Sequence, residues 1–217
     1  MTNLSFKSLA FVAALVAIPG SASASAPAPR PVVDIPSSGH RAVAVFAGGC
    51  FWGVEGVYSH VKGVLSATSG YTGGSAATAT YDQASTGITG HAESVRVIFD
   101  PTLVSYGDLL RIYFTVVADP TLKNEQGPDH GTQYRTALFP TSPAQARVAH
   151  AYIAQLSTAH RFNRPILTSV EPFRGFFPAE AEHQNFMARN PDYPYIVIND
   201  RPKVEALRRQ FPTFYHV

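Results

Sequence analysis

The chain has a single cysteine, Cys50, among 217 residues, and its charges nearly balance. One cysteine cannot form an internal disulfide, which excludes the disulfide framework that stabilises many small exported proteins. A net charge of +2 gives no basic surface for nucleic acid. No internal repeat is evident, so a solenoid is also excluded. With 45% hydrophobic residues, a chain of this length can bury one sizeable core, and we expect one domain.

The first residues of the chain differ in composition from the rest. A basic residue precedes a short apolar run, Leu9 to Ile18, and small residues follow it. This order is typical of a secretory signal peptide, and the run is too short for a membrane anchor. Cleavage after Ala24 or after Ala26 is possible, and Ala24 is favoured because the other site leaves a proline next to the cut. We expect a signal peptide over 1–24 and a periplasmic or secreted mature protein.

Strand and helix patterns then alternate irregularly. The proline-rich segment 25–40 predicts an extended linker, and residues 41–217 would form the catalytic domain. The patterns predict strands at 42–46, 63–71, 93–99, 134–139 and 166–171, and helices at 51–60, 105–117, 142–160, 179–188 and 203–209. Few strands and irregular crossovers favour an α+β fold, a two-layer α/β sandwich with a mixed sheet. The long polar stretch 119–133 is typical of a functional loop or of a disordered segment.

Cys50 lies in the segment GGCFWG, residues 48–53, where a strand pattern ends and a helix pattern begins. A thiol at a helix N-terminus faces unpaired backbone N–H groups and the positive end of the helix dipole. Both favour the thiolate and lower the pKa from its free value of about 8.5. We therefore expect Cys50 to be a reactive nucleophile. The alternative is an inert, buried thiol.

Three motifs follow one another along the domain. They are GGCFWG at 48–53 with Glu55, GHAE at 90–93 and GPDHGTQYRT at 127–136. In order and spacing they resemble the A-type peptide methionine sulfoxide reductases, and the similarity runs from about Val43 to Gln184. The resemblance implies a ferredoxin-like core. It also implies reduction of the S epimer of methionine sulfoxide, free or in a protein.

The residue types fit that chemistry. A sulfoxide sulfur accepts a nucleophile only when its oxygen is protonated or strongly hydrogen-bonded, so the site needs a thiolate and an acid. Cys50 and Glu93 supply them, because a carboxyl in an apolar pocket can stay protonated near neutral pH. The resemblance implies that Tyr81 and Tyr134 hydrogen-bond the sulfoxide oxygen. Attack would release methionine and leave Cys50 as a sulfenic acid.

The resemblance also assigns substrate-binding residues. Phe51 and Trp52 would form an apolar wall for the S-methyl group. Asp129 would lie beside the substrate backbone, and His183 would join the same site. We expect no metal, because the histidines lack cysteine partners and the spacing of a zinc motif.

The chain departs from many relatives because no cysteine follows Asn190 to resolve a sulfenic acid. We expect no bound cofactor and an external thiol reductant, a thioredoxin-like protein or dithiothreitol in vitro. The expected substrates are oxidised proteins or free methionine sulfoxide, with no nucleic-acid partner, no stable membrane association and a monomeric enzyme. Two alternatives remain at this point. One is a thiol peroxidase, although the sequence has no Thr-x-x-Cys motif of the kind that such an enzyme needs. The other is a non-catalytic module that binds oxidised methionine through Phe51 and Trp52.

Overall fold

The computed structural model describes residues 26–217, so the predicted signal peptide lies outside the described residues. The strands are β1 (Ala42–Gly48), β2 (Val64–Thr72), β3 (Ala92–Phe99), β4 (Glu125–Gln126), β5 (Asp129–His130), β6 (Thr136–Leu138), β7 (Ser169–Val170) and β8 (Phe177–Pro178). The helices are α1 (Phe51–Ser59), α2 (Tyr81–Ala84), α3 (Tyr106–Ile112), α4 (Pro143–Thr158), α5 (Phe186–Arg189) and α6 (Arg201–Gln210). A π-helical turn, Tyr113–Val117, extends α3, and a second one, Ile196–Asp200, leads into α6.

Six strands form one mixed sheet in the order β7-β6-β1-β3-β2-β8. Neighbouring strands are antiparallel except β6 and β7, which run parallel. The short strands β4 and β5 form a separate hairpin. Helices pack on one face of the six-stranded sheet, which confirms the predicted α+β sandwich with a mixed sheet.

The main core lies between this face and the helices. Val95, Val97 and Phe99 of β3 all point into it, as their alternation in the sequence predicts. From β1, the ring of Phe46 stacks on that of Tyr58 in α1 at 5.2 Å between centroids. Burial of each such side chain contributes about 1.5 to 3 kcal/mol. The core therefore fixes α1, and with it the N-terminal end of that helix, against the centre of the sheet.

Two predicted elements are wrong in extent. Only residues 186–188 of the predicted helix 179–188 are helical, as part of α5, because Asn185 has a left-handed backbone with φ of +51° that stops a longer helix. The strand predicted at 166–171 has only two residues, Ser169 and Val170. The predicted caps are present, since Ser105 forms a capping box with Asp108 at the start of α3.

Residues 26–40 form no helix or strand and lie along the helical layer. Ala28 is buried, and its N–H donates to the Thr115 hydroxyl at 3.1 Å. The Tyr152 hydroxyl donates to the Pro29 carbonyl at 2.7 Å, and the Asp34 carboxylate accepts from the first turn of α3. The segment is thus extended but packed against α3 and α4. Among the described residues, no helix has the length and apolar character needed to cross a bilayer.

Candidate active site

The end of β1 and the start of α1 place Cys50 at the centre of the site. Gly49 turns the chain with φ of +89°, and a Cβ there would lie 2.6 Å from Cβ of Gln126. Only glycine fits this turn without strain. Cys50 then occupies the N-cap position of α1 with 7% of its surface exposed. The thiol is therefore presented at the positive end of the helix in a nearly closed pocket.

The surroundings of Cys50 act on its ionisation in opposite directions. Burial raises the pKa of the thiol well above its usual value, and the nearby carboxyls of Glu93 and Asp200 raise it further. The backbone N–H of Trp52, in the first turn of α1, lowers the pKa, but by less. The expectation of a lowered pKa in the free protein is therefore wrong. The desolvation of the thiolate outweighs the helix N-terminus, and the resting group is a neutral thiol.

Glu93 lies beside the same helix end. Glu93 is the second residue of β3 and is almost completely buried. Its carboxyl accepts a hydrogen bond from the backbone N–H of Phe51 at 3.0 Å. Burial raises the pKa of this carboxyl to about 8, although the Phe51 hydrogen bond lowers it and the charges of Asp129 and Asp200 raise it. Glu93 is consequently protonated at neutral pH. The structure thus places a neutral acid next to a neutral thiol.

The two predicted tyrosines face this pair. Tyr81 begins α2, and its backbone N–H donates to Glu180 at 2.9 Å. Tyr134 lies in a short 3-10 turn after β5 and is half-buried. Burial raises the pKa of each hydroxyl, and the Glu93 carboxyl raises it further. Both hydroxyls therefore stay protonated and can donate hydrogen bonds.

Arg135 joins the loops that carry these residues. Its guanidinium donates to the carbonyl oxygens of Gly90 at 3.1 Å and Thr132 at 2.9 Å. The same group makes a two-point ion pair with Glu171, at 2.8 and 2.9 Å. The segments before β3 and before β6 are thereby fixed to each other.

Aromatic rings close one side of the site. The ring of His183 lies 5.3 Å from that of Phe51, 6.0 Å from that of Trp52 and 4.4 Å from that of Tyr81. Phe51 is fully buried and Trp52 is half-buried. The rings of Phe51, Trp52 and Tyr81 therefore surround His183 and form one continuous aromatic surface from α1 to α2.

The comparison with known proteins fits this geometry. The family model described as peptide methionine sulfoxide reductase matches residues 42–214. This chain belongs to that family. The reductase MsrA 2 of Mesorhizobium japonicum is 54% identical over 172 residues, which cover 79% of this chain and 88% of that protein. MsrA of Deinococcus radiodurans is 48% identical over 168 residues, with 77% and 81% covered.

Solved structures agree. Reduced Mxr1 from Saccharomyces cerevisiae superposes with a TM-score of 0.64 at 30% identity, covering 71% of this chain and 88% of that one. Methionine sulfoxide reductase A of Corynebacterium diphtheriae gives 0.60 at 32% identity, covering 76% and 84%. The chain is thus an oxidoreductase that reduces methionine sulfoxide by thiol chemistry.

Residues of the reductase that no motif indicated complete the wall. Phe186 of α5 stacks on Trp52 with centroids 3.8 Å apart and planes 10° from parallel. The rings of Tyr193 and Tyr195 contact Trp52 edge-on, at 6.3 and 5.9 Å. The Tyr195 hydroxyl also donates to the carboxylate of Asp129, the predicted backbone-binding residue on β5. The segment from α5 to α6 therefore covers the outer side of the site.

The other two conspicuous histidines lie apart from this centre. His91 is fully buried, where Nδ1 accepts from the Gly74 N–H at 3.3 Å and Nε2 lies 2.9 Å from the Ser75 carbonyl oxygen. His130 pairs with Glu125 at the surface. Within residues 26–217, no three His, Cys, Asp or Glu side chains are grouped so as to hold a metal ion. His91 thus has a structural environment between two loops.

Proposed function

We propose that this reductase acts on the S epimer of methionine sulfoxide with Cys50 as nucleophile and Glu93 as proton donor. The observation that carries this assignment is their shared position at the N-terminus of α1. The Phe51 N–H donates to Glu93 at 3.0 Å, and Cys50 is the N-cap residue of the same helix. Both reacting groups are thereby directed at one point in a pocket that excludes most water.

The proton balance follows from the two neutral groups. Glu93 donates its proton to the sulfoxide oxygen, and the hydroxyls of Tyr81 and Tyr134 hydrogen-bond the same oxygen. The Cys50 thiol then gives its proton to the Glu93 carboxylate as the sulfur attacks. The oxygen passes to Cys50 as a sulfenic acid, and methionine leaves with two electrons more than the sulfoxide. Glu93 ends the step protonated, as it began.

Substrate position depends on the aromatic wall and on Asp129. The S-methyl group packs on Phe51 and Trp52 beside His183, since thioethers and methyl groups favour aromatic surroundings. The Asp129 carboxylate, held by the Tyr195 hydroxyl, accepts an N–H of the substrate backbone. Such a contact serves free methionine sulfoxide and a peptide alike.

Regeneration needs a thiol from outside the chain, because Cys50 is the only cysteine in the sequence. We propose a thioredoxin-like protein in the cell and dithiothreitol in vitro, each acting through a mixed disulfide with Cys50.

No cofactor takes part, and the enzyme is a monomer. The segment 1–24 acts as a signal peptide, so that the reductase works in the periplasm or outside the cell. Residues 25–40 form a linker to the domain at 41–217.

A stoichiometry experiment tests this assignment. Purified protein is mixed with each epimer of a blocked methionine sulfoxide, and methionine is counted before and after addition of dithiothreitol. We expect one methionine per chain from the S epimer, a dimedone-reactive Cys50, and renewed turnover with the thiol. More than one methionine per chain without reductant would contradict the single-thiol mechanism.

The matched variant Cys50→Ser separates the remaining alternatives. An alcohol cannot supply a thiolate, so we expect no methionine from this variant and a native circular dichroism spectrum. Reduction that survives the substitution would place the nucleophile elsewhere. If the wild type shows no turnover and the variant still binds the sulfoxide, the protein is instead a binding module.

A further inference from the structure

Three acidic groups surround the first turn of α1. Glu93 accepts the N–H of Phe51, and Cys50 occupies the N-cap position of the helix. The third group is Asp200, whose carboxylate packs against the next residue, Gly53. A Cβ at Gly53 would lie 2.1 Å from Oδ1 of Asp200, so only glycine allows this approach. The C-terminal π-helical turn thus brings a carboxyl to the helix end that holds the nucleophile.

Asp200 is completely buried, and only Glu55 and Glu93 among the other carboxyls of residues 26–217 are nearly so. Its Oδ1 lies 3.3 Å from Nζ of Lys203, whereas its Oδ2 has no hydrogen-bond partner. Burial of a carboxylate with one unsatisfied oxygen is unfavourable for folding. The capping of α6 does not explain it, since the side chain makes no cap hydrogen bond. A role in the site explains the position better.

We propose that Asp200, held by Lys203, is a positioning residue whose negative charge keeps Cys50 a neutral thiol until substrate binds. The carboxyls that face the thiol are Glu93 from β3, Asp129 from β5 and Asp200 itself. The other titratable groups around it are the hydroxyls of Tyr81, Tyr134 and Tyr195, whose raised pKa values keep them neutral. Glu93 is neutral at pH 7, which leaves Asp129 and Asp200 as the sources of negative charge. A neutral thiol reacts slowly with peroxides, so the pair would protect Cys50 in an oxidising compartment.

The ionisation of Asp200 gives this effect a defined pH range. Burial raises the pKa of Asp200 to about 6, while the Lys203 ammonium lowers it and Asp129 raises it. Above pH 6 the carboxylate is charged and opposes ionisation of Cys50. Below pH 6 it is neutral, and that opposition disappears. The inference rests on the proposed role of Cys50, but its consequence is visible in the free enzyme without turnover.

Alkylation of Cys50 by iodoacetamide tests the proposal. The rate is measured from pH 5 to pH 9 in the wild type, in Asp200→Asn and in the control Asp192→Asn. The control removes the same charge from a side chain that is 97% exposed and paired with Arg201. We expect Asp200→Asn to react about tenfold faster above pH 7, equivalent to about one pKa unit of the thiol, and at the wild-type rate below pH 6. Asp192→Asn should match the wild type throughout.

A ratio of the Asp200→Asn alkylation rate to the wild-type rate that is independent of pH, or that equals one at every pH, would overturn the proposal.

A second variant tests the proposal if Asp200→Asn does not fold. In Lys203→Gln the Asp200 carboxyl should stay protonated to a higher pH, because its ammonium partner is gone. Cys50 should then react faster than in the wild type just above pH 6. A profile identical to that of the wild type would contradict the proposal. Loss of turnover in Cys50→Ser is a separate result, so failure of the two assignments can be told apart.

Discussion

Glu93→Gln is the most informative single substitution in the site. Glutamine has nearly the size of glutamic acid, and its amide oxygen can still accept the Phe51 N–H that holds Glu93 at 3.0 Å. The amide cannot give up a proton near neutral pH. The substitution therefore removes the acid while it preserves the packing around Cys50.

The size of the effect follows from the state of the wild-type group. With a pKa raised by burial to about 8, about nine-tenths of Glu93 is protonated at pH 7. Loss of a positioned general acid lowers a rate by about 10² to 10⁴. This range corresponds to about 2.7 to 5.4 kcal/mol of transition-state free energy. Binding should change much less, because the aromatic wall and Asp129 are untouched.

The assay is a single turnover with excess enzyme and the S epimer of a blocked methionine sulfoxide. In the wild type the protonated form of Glu93 is active, so this contribution is present below pH 8 and is lost as the pH rises through about 8. Glu93→Gln should be slow at every pH and lack this dependence. The control is Glu205→Gln, at an exposed position on α6. A Glu93→Gln rate within threefold of the wild type would refute the role of the acid.

Three further results are expected. Phe186→Ala removes the ring stacked on Trp52. The KM for a peptide sulfoxide should therefore rise about two- to tenfold, with a smaller change in kcat. Steady-state kinetics measure both constants, with Phe186→Tyr as the conservative control. Gly49→Ala should lower stability by about 1 to 3 kcal/mol, since its φ is +89° and Gln126 occupies the space of a Cβ; a thermal melt equal to that of the wild type would contradict this. The mature protein should begin at Ser25, which N-terminal sequencing of exported material would show. A protein that begins at Met1 would contradict this prediction.

The features that the sequence predicts well have local causes. Alternation of Val95, Val97 and Phe99 reflects the two faces of a strand, and the same residues line the core of the structure. Ser105 caps α3 through contacts that span three residues. The glycines before Cys50 mark the turn into α1. Each of these signals lies within a few positions of the structure that it specifies.

The features that the sequence does not predict depend on contacts between distant segments. Nothing near Asp200 or Tyr195 resembles a catalytic motif, because both reach the site only when the turn before α6 folds against α1 and the β4–β5 hairpin. Phe186 belongs to a helix that was predicted with the wrong extent. The prediction of a lowered pKa for Cys50 is wrong for the same reason. Its helix position is a local feature, whereas the burial that outweighs it comes from the whole fold.

The neutral pair at the end of α1 explains why one carboxyl can serve both halves of the proton transfer. A negative charge on Glu93 raises the pKa of the Cys50 thiol, so the two groups favour states in which at least one of them is neutral. When Glu93 gives its proton to the sulfoxide oxygen, the new carboxylate is the strongest nearby base for the thiol. The sulfur ionises as it attacks, so no thiolate accumulates before substrate arrives. An enzyme with a single cysteine and no second thiol to rescue it gains from this order of events, because the reactive thiolate forms only beside a bound sulfoxide.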